Sequence, residues 1–188
     1  MKMNAERKHL VRLVFAAVMA AMVFVVTLFR FPLLGSQVHF ANAVCLLSGL
    51  LLGPVWGGAA AGMGSFLYDL CLYNKGPVNL LITFVTKFLM ATICALVYRA
   101  FGKKRNQPVP LVLSCVAGAL SYVVMYMLKS GIDGAIAGKG FWAVIGTKFP
   151  ASIINAGAAI IATPIFYSAV RPALKAGGIA KELEWIKE

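Results

Sequence analysis

Charge is what this sequence has little of. Only 13% of its 188 residues are Asp, Glu, Lys or Arg and 61% are hydrophobic, whereas a soluble domain carries roughly 25% charged residues. An ordinary water-soluble fold is thereby excluded. Acidic residues are scarcest, six against eighteen Lys and Arg, and histidine occurs twice. Cys45, Cys71, Cys94 and Cys115 all fall inside apolar runs with no C-x-x-C spacing. With so few histidines beside them they make no zinc set and read as small buried hydrophobes. The usual catalytic signatures are missing as well: there is no G-x-x-x-x-G-K-[ST] phosphate loop, no H-E-x-x-H, no G-x-S-x-G and no pair of in-membrane aspartates. No cofactor or metal is expected. Uphill movement of a solute would need an ion gradient or another protein to drive it.

What the sequence does have is long apolar runs. A helix rises ~1.5 Å per residue and must cross ~30 Å of hydrocarbon, so a span takes about 20 residues. The runs, broken by Gly, Pro and charge, predict an all-α integral membrane protein of six transmembrane helices, over 11–30, 38–53, 55–73, 77–99, 109–128 and 142–168, with a cytoplasmic tail over 169–188. The basic start followed by "LVRLVFAAVMAAMVFVV" has the shape of a signal peptide. No small-residue cleavage site follows, so a retained first helix is expected.

Lys and Arg set the orientation. Lys2, Arg7, Lys8 and Arg12 precede the first predicted helix, Arg99, Lys103, Lys104 and Arg105 lie between the fourth and fifth, and Arg171, Lys175, Lys181 and Lys187 follow the sixth. Six spans put them all on one side, the cytoplasm, together with both termini. The net charge of +12 thus belongs to membrane edges rather than to a nucleic-acid-binding face.

Polar residues inside the spans gather toward the opposite end. Asn79, Thr83, Thr86 and Lys87 share one face of the fourth helix, and Lys148, Ser152 and Asn155 repeat the stripe in the sixth. His39 and Asn42 open the second helix; Ser65, Tyr68, Asp69 and Tyr73 close the third; Tyr122, Tyr126 and Lys129 close the fifth. Polar groups in lipid cost free energy unless they face a bundle interior or water, and ionisable ones mark functional positions. Converging stripes at one depth predict an outward-opening pocket with Lys87 at its floor, ~15 Å from the end of its helix. Its substrate-binding candidates are His39, Asn42, Asp69, Tyr73, Asn79, Thr83, Lys87, Tyr126, Lys148 and Asn155. Asp69 can pair with Lys87 or Lys148, and either pairing leaves one lysine unmatched. Aromatics suit the stacking of a flat ring. "KSGIDGAIAGKG", residues 129–140, reads as a glycine-rich outer loop, a lid or a plain connector.

Small residues mark the other half. Ala16 and Ala20, and Ala17 and Ala21, are spaced four apart, a pattern that lets another helix come close. They are candidates for docking a separate membrane partner. Gly58 and Gly62 repeat the spacing, read as packing inside the bundle.

These residues carry a resemblance. "VHFANAVCLLSGLLLGPVWGGAAAGMGSFLYDL", residues 38–70, "TFVTKFLMA", 83–91, and "FPASIINAGAAII", 149–161, resemble helices of the substrate-binding S components of energy-coupling factor (ECF) transporters, the prokaryotic vitamin importers. The likeness runs from about residue 10 to 170 and is greatest to the branch with riboflavin, hydroxymethylpyrimidine and pyridoxine-type S components. Phe40, Ala41 and Asn42 depart from the glycine and acid that many relatives have after the histidine. The resemblance implies a multi-pass protein of the prokaryotic plasma membrane that is not an enzyme. It would capture a vitamin or precursor and dock through its alanine face on a transmembrane coupling protein served by two cytoplasmic ATPases. The residues alone leave open an autonomous ion-coupled carrier or channel, and a membrane enzyme using Asp69, His39 and Lys87.

Overall fold

The structure, a computed structural model, describes residues 5–33, 36–73, 76–102, 107–179 and 183. Five helices, α1 (Ala5–Leu28), α2 (Ala41–Tyr73), α3 (Pro77–Ala100), α4 (Pro108–Ile136) and α5 (Phe141–Ala176), are joined after α1 by a hairpin of β1 (Arg30–Leu33) and β2 (Ser36–His39). Each helix is long and apolar enough to cross a membrane. Proline opens α3 and α4, where its missing N–H removes no intrahelical bond.

Gly53 divides α2. Its backbone is at φ 82°, ψ −176°, a conformation open to glycine, and Pro54 behind it excludes the helical region for the preceding residue. Ser48 Oγ donates to Gly57 O at 2.8 Å. In a continuous helix nine residues span ~13.5 Å, so the two halves of α2 fold back on each other. The first half is the centre of the bundle: every residue from Ala41 to Gly53 is buried. An apolar helix closed off on all sides can be shorter than the bilayer because protein, not lipid, surrounds its polar groups. α2 packs against α1, α3 and α5. Outward side chains such as Val14, Val18, Leu81, Val85, Val124, Ile161 and Ile165 are exposed and apolar, as a lipid-facing surface requires.

Glycine sets the approach distances. A Cβ on Gly57 would lie 2.3 Å from Ser48 O, and one on Gly49 2.3 Å from Ala91 O. Gly58 and Gly62 meet Thr92, Phe88 and Phe84 of α3, inside the bundle.

Three stretches differ from expectation. Residues 30 and 38–39, read as helix, belong to the hairpin, in which Arg30 faces His39 and Pro32 faces Gln37. Pro32 cannot donate a helical hydrogen bond and is tolerated in a short edge strand. The segment read as a loop over 129–140 is helical through Ile136. Two of its glycines serve packing: a Cβ on Gly131 would meet Phe141 at 2.5 Å and one on Gly134 would meet Val144 at 2.6 Å, and Lys129 and Asp133 pair one turn apart. α5 runs on to Ala176, eight residues into the stretch read as tail.

The alanine pairs separate. Ala16 and Ala20 are buried, and a Cβ on Gly64 would lie 2.4 Å from Ala20 O, so this pair packs α1 on α2. Ala17 and Ala21 are exposed. Of the basic residues used for orientation, Arg7, Lys8, Arg12, Arg99, Arg171 and Lys175 are on described helices. Lys2, Lys103, Lys104, Arg105, Lys181 and Lys187 lie outside the described residues.

Candidate functional site

The hairpin end of the bundle encloses a cavity of about 420 Å³, within the roughly 300–1,000 Å³ of small-molecule sites. Helical periodicity builds its walls. Ser65, Tyr68 and Asp69 come from α2, Thr83, Thr86 and Lys87 from α3, Tyr122, Tyr126 and Lys129 from α4, and Lys148, Ser152 and Asn155 from α5. Each set is spaced three and four apart and therefore shares one face. Tyr73, Ile82 and Ser130 complete the helical lining, α1 adds Thr27, and the hairpin adds Arg30, Gln37 and His39.

Lys87, ten residues into α3, is buried, donates to Asn42 Oδ1, and holds its ammonium 3.8 Å from the ring centroid of Tyr122. Asn42, on the central half of α2, is itself buried. Asp69 accepts from Thr83 Oγ1 at 2.7 Å. Lys148 Nζ donates to Ser130 Oγ at 3.4 Å and lies 5.7 Å from the Tyr126 ring. Among the described residues neither lysine is ion-paired with Asp69, so the structural pairing that the sequence left open is not formed. Tyrosine faces hold the cations instead, and Tyr122 and Tyr126 stack at 5.8 Å and 14°.

Asn155 ties the hairpin to α5. Its Oδ1 accepts from the His39 backbone N at 2.8 Å and its Nδ2 donates to Gln37 O at 2.7 Å. Asn155→Ala should therefore loosen β2, at a cost of about 1–3 kcal/mol for the groups left unpaired. Hydrogen exchange at the His39 amide should accelerate by at least tenfold; unchanged protection would show that the strand is held by something else.

His39 is neutral. Burial first, then the positive charges of Lys87 and Arg30, push its imidazole down to about 3. Its Nδ1 is buried with no hydrogen-bond partner among the described residues. Such a nitrogen carries a desolvation cost that a ligand group could relieve.

Eight of the ten residues singled out from sequence border the cavity: His39, Asp69, Tyr73, Thr83, Lys87, Tyr126, Lys148 and Asn155. Asn42 stands behind Lys87 rather than in the lining, and Asn79, in the first turn of α3, is outside it. Arg30 and Gln37 were missed because the hairpin was. Pro32 and Gly35 between short alternating runs were the available signal. Thr27, Ile82 and Ser130 gave none. Among the described residues no cluster of three or more His, Cys, Asp or Glu could hold a metal.

The family model for the S component of the ECF-type riboflavin transporter matches residues 8–172. The chain belongs to this family of ECF transporter S components. Its fold is also similar to a solved structure of the S component of a bacterial ECF transporter, at a TM-score of 0.66 and 20% identity, over 87% of this chain and 97% of the other. At that identity the likeness bears on the fold alone. No curated protein matches. As an S component the chain is a multi-pass prokaryotic membrane protein with a substrate-binding role in vitamin uptake, and not an enzyme.

Proposed function

We propose that this S component captures a small water-soluble vitamin or vitamin precursor from outside the cell, in an outward-opening cavity, for an ATP-driven importer. The observation that carries the reading is the convergence of polar side chains from every helix and the hairpin on one cavity, in a bundle whose other surfaces are largely apolar. Side chains that are costly in lipid are gathered where a solute could use them.

The reversal at Gly53 supports six membrane crossings, with both termini on one side. Arg7, Lys8, Arg12, Arg99, Arg171 and Lys175 fall toward the helix ends remote from the cavity, and the positive-inside bias assigns those ends to the cytoplasm. The cavity then faces outward. Ala17 and Ala21, exposed beside Val14 and Val18, fit docking on a transmembrane coupling protein that carries two cytoplasmic ATPases. Ala16 and Ala20 contribute by holding α1 close to α2.

Thermal unfolding of the purified chain against a panel of riboflavin, hydroxymethylpyrimidine, pyridoxine and other vitamins tests the reading. A true ligand at 100 times its Kd should stabilise by about 2.7 kcal/mol and be recovered chemically unchanged. A panel without any stabilising compound would remove the capture role. Uptake into vesicles lacking the ATPases would point to an ion-coupled carrier instead.

A further inference from the structure

The cavity holds more positive charge than it neutralises. Among the described residues, Arg30, Lys87, Lys129 and Lys148 line it with one carboxylate, Asp69. Lys129 is already paired with Asp133, 2.5 Å away, which leaves three cations. Among the described residues none of the three makes an ion pair. Each sits on tyrosine instead: Arg30 is 4.6 Å from the Tyr68 ring and 4.1 Å from the Tyr73 ring, Lys87 is 3.8 Å from Tyr122, and Lys148 is 5.7 Å from Tyr126.

This arrangement differs in kind from a salt bridge. A ring face attracts a cation through its quadrupole, by roughly 0.5–2 kcal/mol, but carries no net charge. It steadies the cation without cancelling it. Inside a bundle, where the effective dielectric is below that of water, uncancelled charge acts more strongly than on an open surface. Arg30 is held between two rings. Lys87 is buried and committed to Asn42. Lys148 is the most available of the three: it is half-buried, and its ammonium makes one long bond, to Ser130, with its remaining donors open to a ligand.

Building on the capture reading, we infer that the ligand carries an ionised acidic group, a carboxylate or a phosphate, and that Lys148 is the side chain that selects it. Lys87 and Arg30 supply the surrounding positive field, and the tyrosines keep the empty site from collapsing into internal ion pairs that the ligand would have to break.

The test uses matched compounds that differ by an acidic group, titrated against the full chain in lipid nanodiscs: riboflavin and riboflavin 5′-phosphate, pyridoxine and pyridoxine 5′-phosphate, nicotinamide and nicotinic acid. In at least one pair the anionic member should bind roughly tenfold or more tightly than the neutral one. Lys148→Gln should reduce that preference to less than about threefold, and Lys148→Arg should restore it. If the glutamine variant does not fold, the wild-type preference decides, because it must shrink when salt is raised from about 50 to 500 mM. Equal or tighter binding of the neutral member in every pair that binds would overturn the charge assignment and leave capture standing. So would an anionic preference indifferent to both Lys148→Gln and salt. Failure of every compound to bind, in either form, would overturn the capture reading and this inference with it.

Discussion

Lys87→Met should lower ligand affinity by about 10- to 150-fold, the 1.5–3 kcal/mol of a hydrogen bond to a charged group. The side chain reaches the cavity from the middle of α3, and its ammonium is held by Asn42 Oδ1 and the Tyr122 ring. Methionine preserves much of the volume and removes the donor. The fold should survive with a moderate loss, because Asn42, 2% exposed, is left without its partner, at about 1–3 kcal/mol. Adding Asn42→Leu to Lys87→Met makes both members apolar and should recover most of that stability while affinity stays low. Calorimetric titration and thermal unfolding on the two variants separate the roles. If Lys87→Met unfolds the protein and the folded remainder binds normally, Lys87 is a structural post and not part of the site.

Gly57→Ala should cost about 3 kcal/mol or more, a large effect for one methyl group. The added Cβ would lie 2.3 Å from Ser48 O, 2.6 Å from Ser48 C and 2.7 Å from the Cα of Gly49. All are backbone atoms, so no rotamer change relieves the clash, and overpacking a rigid interior is destabilising. The two halves of α2 would have to separate, which also breaks the Ser48 Oγ bond to Gly57 O. Gly146→Ala is the control. Its Cβ would meet nothing within 4 Å, and the change should be neutral or stabilising by up to about 1 kcal/mol through helix propensity. Thermal unfolding in detergent compares them; a Gly57→Ala protein within about 0.5 kcal/mol of the parent would mean that the close approach at Gly53 is not what holds the bundle together.

The polar stripes on α3 and α5 were legible because helical periodicity sorts residues onto faces before any neighbour is known. Thr83, Thr86 and Lys87 share a face by spacing alone, and so do Lys148, Ser152 and Asn155. That they meet around one cavity follows from how the helices are arranged about the buried half of α2. Asn155 illustrates the difference. Its place on the stripe was readable, but its bonds to Gln37 and His39 require a hairpin that sequence reading took partly for helix. Similar spacing also concealed opposite fates: Ala16 and Ala20 are buried, whereas Ala17 and Ala21 are exposed. Of the glycines of 129–140, read as slack, Gly131 and Gly134 are contact points between α4 and α5, whereas Gly138 and Gly140 turn the chain at positive φ.

By itself the sequence determined that the chain lies in a membrane, roughly where its helices run, and which side chains are too polar to face lipid. Composition and periodicity are properties of the chain and need no partner to be read. Only the tertiary structure decided that Arg30 and Gln37 join the cavity, that Asn42 supports Lys87 from behind, and which alanine face remains open. Those outcomes depend on which surfaces meet, and a helix of given periodicity can present its face to many neighbours. The choice is made by close packing at glycine contacts such as Gly57 and Gly64, where a fraction of an ångström separates fit from collision.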